Sequence, residues 1–121
     1  MSSYGELHVV IFQELPGLWV GRGLEHDIMA EARTIGEALR GIVNVVRAHT
    51  LFDYRHNRAP LSAFAAAPQS CWHAFASGTL VPLAQLGVVP PESWRIVAAI
   101  APRRPVSMLA WRDMAPRAAA S

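Results

Sequence analysis

Apolar residues fill the first third of the chain in three short runs, each with its own rhythm. Residues 7–13 (LHVVIFQ) are apolar on both parities, with Leu7, Val9 and Ile11 set against Val10 and Phe12. The run is short and β-branched, which reads as a strand. Two apolar faces place it in the middle of a sheet that is covered on both sides. Pro16-Gly17 is a turn signal, and Leu18-Trp19-Val20-Gly21-Arg22 follows as a second strand. Gly21 and Gly23 mark a bulge or a close backbone approach there. After a turn over 24–27 (LEHD), Ile28, Ala30 and Ala32 alternate with Met29, Glu31 and Arg33, the period of a half-buried strand. Three strands joined by tight turns predict an antiparallel meander.

The rhythm then changes to that of a helix. Thr34-Ile35-Gly36-Glu37 matches the capping box, in which the threonine hydroxyl takes the Glu37 N–H and the carboxylate reaches back to the Thr34 N–H. Ile35, Ala38, Leu39, Ile42, Val43 and Val46 recur at helical spacing, opposite Arg40, Asn44 and Arg47. The spacing predicts a helix over 35–49 lying on one face of the meander. Residues 50–62 (TLFDYRHNRAPLS) read as loop, and 69–77 as a short helix that helps cover the same side and ends at Gly78. Residues 82–91 are irregular, with three prolines and a glycine. Trp94-Arg95-Ile96-Val97-Ala98-Ala99-Ile100 restores a strand, expected as a fourth strand on a sheet edge. From Pro102 the chain (PRRPVSMLAWRDMAPRAAAS) reads as a tail. The fold class expected is α+β: a three- to four-stranded antiparallel sheet, a capped helix on one face, a short second helix and an irregular tail. The division is one domain over 1–101 and a Pro/Arg-rich segment over 102–121.

Composition changes this picture little. The chain has 121 residues, 52% of them hydrophobic and 17% charged, enough apolar material for one core and too little length for two. All eleven basic residues are arginine, against nine acidic ones. Arg22, Arg33, Arg40 and Arg47 are interleaved with Glu25, Asp27, Glu31 and Glu37, so no single-signed stripe marks a nucleic-acid footprint in that region. Cys71 is the only cysteine, which excludes an intramolecular disulfide and a cysteine-rich zinc cage and suits a cytoplasmic protein. The N-terminus lacks the pattern of a signal peptide, and no apolar run is long enough to span a membrane.

The chemistry-bearing residues form no convincing catalytic set. Cys71 and His73 are two apart, and on a helix they point about 200° apart, out of reach of one another. His49, Asp53 and His56 match no metal-ligand spacing, and His49 reads better as a cation near the end of the helix. Gly21-Arg22-Gly23 has no phosphate-loop context. The expectation is a protein with no catalytic residues, no metal and no cofactor. Arg55 and Arg58, in the basic loop Arg55-His56-Asn57-Arg58, are the residues that would touch nucleic acid. Arg103 and Arg104, with Met108, Leu109, Trp111 and Arg112, have the composition of a partner-binding segment, because tryptophan, methionine and arginine are enriched at interfaces. That segment either packs on its own domain or inserts into a partner. An uncovered sheet edge would add a route to a homodimer.

The strand, Pro16-Gly17 turn, Gly17-Leu18-Trp19-Val20 strand, third strand and Thr34-Ile35-Gly36-Glu37-Ala38-Leu39 helix start together resemble the HicB-like antitoxin family over roughly residues 6–50. The usual Pro-x-Leu-Pro-Gly-like turn is replaced by Leu24-Glu25-His26-Asp27. The resemblance implies the meander-plus-helix fold and a protein-binding role. It does not extend to operator binding, because the segment after Ile100 is too short and too proline-broken for the DNA-binding module such antitoxins append. The function expected is a small non-enzymatic module that masks a partner protein, either a toxin or, in a phage-encoded version, a component of a host defence nucleoprotein complex. A nucleic-acid-associated regulator is the reading from a different class, and an enzyme built on His49, Asp53 and His56 is a further one.

Overall fold

The structure is a computed structural model and describes residues 5–103. Its elements in chain order are β1 (Gly5–Leu15), β2 (Leu18–Gly23), β3 (Met29–Ala32), α1 (Ile35–Arg55), α2 (Gln69–Ala76), β4 (Thr79–Val81), a 3-10 turn (Leu83–Leu86) and β5 (Trp94–Ile100). The strands form one sheet in the order β3-β2-β1-β5-β4. β1 is central, as its two apolar faces require. Leu7, Val9 and Ile11 face one core with Leu39, Ile42, Val43 and Val46 of α1. Val10 and Phe12 face the other, with Val20, Leu24 and Cys71. The class is α+β with helices packed on the sheet.

α1 starts at the predicted cap, but the reciprocal bond is made by the Thr34 hydroxyl and not by its N–H. Thr34 is the N-cap and its hydroxyl accepts the Glu37 N–H at 3.1 Å. The Glu37 carboxylate accepts from the Thr34 hydroxyl at 3.2 Å. The helix seats unusually close to β2 and β3. A Cβ on Gly41 would lie 2.8 Å from the Cβ of Ala30, and one on Gly21 would lie 3.2 Å from Ile42 Cγ1. Gly21 therefore marks a close approach between strand and helix, at the cost of strand propensity.

Four expectations are corrected. Among the described residues the sheet has five strands and is mixed, because β5 runs parallel to β1 from Gly5↔Trp94 to Ile11↔Ile100. A parallel pair needs a long crossover, and both helices lie in it. β5 is internal, not an edge. The edge belongs to β4, whose three residues between Gly78 and Pro82 are too few to show a period. α2 covers the opposite side of the sheet from α1, on β1 and β5. α1 continues past residue 49 to Arg55, so the first part of the expected loop is helical and His49 lies well inside the helix. Tertiary contacts hold these extra turns. Trp94 Nε1 donates to the Thr50 hydroxyl at 3.0 Å, and Asp53 Oδ2 accepts the Leu61 N–H at 2.8 Å. The helix ends at Asn57, which is left-handed (φ 56°), with the Arg58 N–H on the Asp53 carbonyl and the Asn57 N–H on that of Tyr54. This is the Schellman arrangement, which asparagine can close in place of glycine. Residues 82–91, expected to be irregular, contain the 3-10 turn, whose Leu83 and Leu86 pack onto the α1-side core. Among the described residues no helix is long and apolar enough to cross a membrane.

Candidate functional site

The last two turns of α1 carry a surface that the core does not use. Leu51, Phe52 and Tyr54 are 50%, 47% and 68% exposed, while Thr50 and Asp53 between them are buried. The polar members of this stretch turn inward because Trp94 and Leu61 supply their hydrogen bonds, and the apolar members are left outside. Two grooves flank them. One, about 420 Å³, is lined by Arg47, Thr50, Leu51, Tyr54, Pro91 and Glu92. The other, about 290 Å³, is lined by Ala48, His49 and Phe52.

Basic groups border this apolar surface. His56 stacks on Phe52 with ring centroids 4.1 Å apart, and its Nδ1 sits 2.8 Å from the Phe52 carbonyl. The Arg58 guanidinium lies 5.7 Å from the Phe52 ring centroid, a cation–π contact worth about 0.5–1 kcal/mol at an exposed site. Arg47, Arg55 and Arg58 are all exposed. Of the acidic residues nearby, Glu92 lines a groove and Asp53 is taken up by Leu61. Exposed aromatic and aliphatic side chains edged by arginine match the composition of protein-binding hot spots.

Of the residues singled out in the sequence, Arg55 and Arg58 fall at this surface. Arg103 is exposed beyond β5. Arg104, Met108, Leu109, Trp111 and Arg112 lie outside the described residues. His49, Asp53 and His56 do not converge: His49 meets Phe64 edge-on at 4.9 Å, Asp53 caps Leu61, and His56 lies on Phe52. Among the described residues no group of three or more His, Cys, Asp or Glu is arranged to hold a metal ion. Cys71 is fully buried and His73, two residues on, is exposed, so α2 points them apart.

Two polar clusters escaped sequence reasoning. Glu25 clamps His8, accepting its N–H at 2.7 Å through Oε1 and lying 2.5 Å from its Nδ1 through Oε2. Phe75 meets the imidazole edge-on at 5.2 Å. Glu6, paired with Arg95 at 3.1 Å, lies 3.8 Å from Nε2. A carboxylate-oriented imidazole is half of an acid–base apparatus. Its free nitrogen faces another carboxylate rather than a nucleophile, so the cluster staples the β2–β3 turn to β1. On the same side Arg22, 4% exposed, donates to both oxygens of Asp27 at 2.7 and 2.8 Å. The Asp27 hydrogen bonds raise the Arg22 pKa further, against the opposing effect of burial. His8 and Glu25 are 17 residues apart and Arg22 meets Asp27 across a turn, so no linear motif announces either pair.

No family model, curated protein or solved structure matches this chain.

Proposed function

We propose that the chain is a non-enzymatic protein-binding module of the cytoplasm that masks the working surface of a partner protein. The observation that carries this reading is the exposed Leu51–Phe52–Tyr54 surface on α1, apolar in its middle and edged by Arg47, Arg55 and Arg58. Monomers seldom leave such a patch without use. Its charge favours a partner that presents apolar side chains among carboxylates. The reading agrees with the toxin-neutralising half of HicB-like antitoxins, to which residues 6–50 bear a resemblance, and equally with a phage-encoded inhibitor of a defence complex on the same scaffold.

The test is capture from nuclease-treated lysate of the native host, with the intact chain and a Leu51→Glu/Tyr54→Glu variant as parallel baits. A protein held at one-to-one ratio by the intact chain and lost by the variant, with both baits equally folded, supports the reading. Capture that survives the double substitution overturns it. The Phe52–His56–Arg58 stack favours one other reading, because an aromatic ring beside arginine also suits an unpaired base. That reading requires binding of a single-stranded oligonucleotide that falls steeply with salt and is lost in Phe52→Ala.

A further inference from the structure

We propose that two copies of this chain cover each other at the groove beside α1 that Arg47, Leu51 and Tyr54 line with Pro91 and Glu92. The groove, about 420 Å³, has two walls of different origin. Arg47, Leu51 and Tyr54 stand at i, i+4 and i+7, so they share one side of α1. Pro91 and Glu92 form the other wall, and both walls are tied to one residue. The Trp94 N–H donates to the Pro91 carbonyl at 3.1 Å, and Trp94 Nε1 donates to the Thr50 hydroxyl of α1 at 3.0 Å. Ser93, between Glu92 and Trp94, is held in the left-handed region (φ 68°), which few residues other than glycine and asparagine adopt. A groove fixed in this way loses little freedom when it is filled.

The charges select the occupant. One wall carries a cation, Arg47, and the other a carboxylate, Glu92. Both are exposed, and neither is in an ion pair among the described residues. A surface with opposite charges on its two walls is complementary to its own copy after a half-turn. A two-fold axis through the groove lays each Arg47 on the other copy's Glu92. It also packs Leu51 and Tyr54, 50% and 68% exposed, against their counterparts. The remaining basic charge does not oppose this pairing. Arg58 lies over Phe52, which is about 100° around α1 from Leu51, and Arg55 lies outside the groove lining. The β4 edge of the sheet offers no better route to a dimer. It has three residues before Pro82, and short, proline-ended edges resist pairing.

A pairing of two helix turns and a loop falls below the standard interface size, so its dissociation constant should be on the order of 10 µM. A partner seated on the same side chains must displace the second copy, so the chain above that concentration masks its own surface, and partner binding drives it to monomer. That consequence alone rests on the partner-binding reading of α1; self-association does not.

Sedimentation equilibrium of the purified intact chain, with no other protein present, tests the pairing. The chain should pass from largely monomer at about 1 µM to largely dimer at about 100 µM. Arg47→Glu and Glu92→Arg should each raise the dissociation constant tenfold or more, because each reversal sets like charges together twice across the two-fold axis. Both sites are exposed, so at about 1 µM both variants should keep the melting temperature of the intact chain. An equimolar mixture of the two variants should dimerise as tightly as the intact chain, since each charge then meets its opposite. A chain that stays monomeric at about 100 µM overturns the pairing and leaves the partner-binding reading to its own capture experiment. A dimer that survives both reversals, or a mixture no tighter than either variant alone, overturns it too. If the dimer behaves as described and no partner is captured, the partner-binding reading fails alone. Should a reversal fail to fold, Glu92→Gln takes its place: a threefold or larger rise in the constant supports the pairing, and no rise overturns it.

Discussion

The two halves of α1 obey opposite rules. From Ile35 to Val46 the helix is apolar inside and polar outside: Leu39, Ile42 and Val46 are fully buried, while Arg40 and Asn44 are exposed. From Thr50 to Arg55 the pattern inverts, with Thr50 and Asp53 inside and Leu51, Phe52 and Tyr54 outside. The first half is held by area, the second by two hydrogen bonds from β5 and from the loop after the helix. Burial of apolar surface is non-directional and tolerant, whereas a buried hydrogen bond fails wholly when one partner is removed. A segment built in the second way has not spent its apolar side chains on folding, and they remain available to another molecule.

The largest expected effect breaks the first half. Ile42→Ala removes a fully buried side chain that closes on Gly21, and should cost about 3 kcal/mol in a denaturant titration, within the range for such truncations. Asp53→Ala attacks the second half. It strands the buried Leu61 N–H and should cost about 2 kcal/mol, the penalty of an unsatisfied donor. The two should differ in reach. Hydrogen exchange in Ile42→Ala should rise throughout the sheet, while in Asp53→Ala it should rise first over residues 50–61. Uniform exchange in both variants would show that the halves are one cooperative unit. Thr34→Ala loses the N-cap hydroxyl and should cost about 1 kcal/mol.

The contrast also explains what was legible in the sequence. Ile35–Val46 announced itself because its burial follows the 3.6-residue period and its cap is local. β1 was legible as a central strand because both parities are apolar. The last turns of α1 were not legible, because Thr50 and Asp53 are weak helix formers whose partners, Trp94 and Leu61, are distant in sequence. Asn57 is the local sign of the helix end, but in the sequence it stands inside the basic run Arg55-His56-Asn57-Arg58. The parallel pairing of β1 with β5 left no trace in either strand, because register between segments some eighty residues apart is a property of the whole sheet. The apolar surface of α1 was hidden for the same reason: Leu51, Phe52 and Tyr54 become a patch only once residues 50–55 are helical.

The smallest effect on stability sharpens the comparison most. Leu51→Glu and Tyr54→Glu place charge where side chains are already half or more in water, so together they should change the unfolding free energy by about 1 kcal/mol or less. Their effect on partner capture should be near total, because truncating or charging the centre of an interface costs far more than altering its rim. Ile42→Ala should show the reverse, losing stability while retaining capture at temperatures where it is folded. This double dissociation would establish that one helix divides its work, folding through its first half and binding through its second. If Leu51→Glu/Tyr54→Glu instead unfolds the chain, the outer residues of 50–55 take part in its own packing, and the inverted pattern is a second small core rather than a surface for a partner.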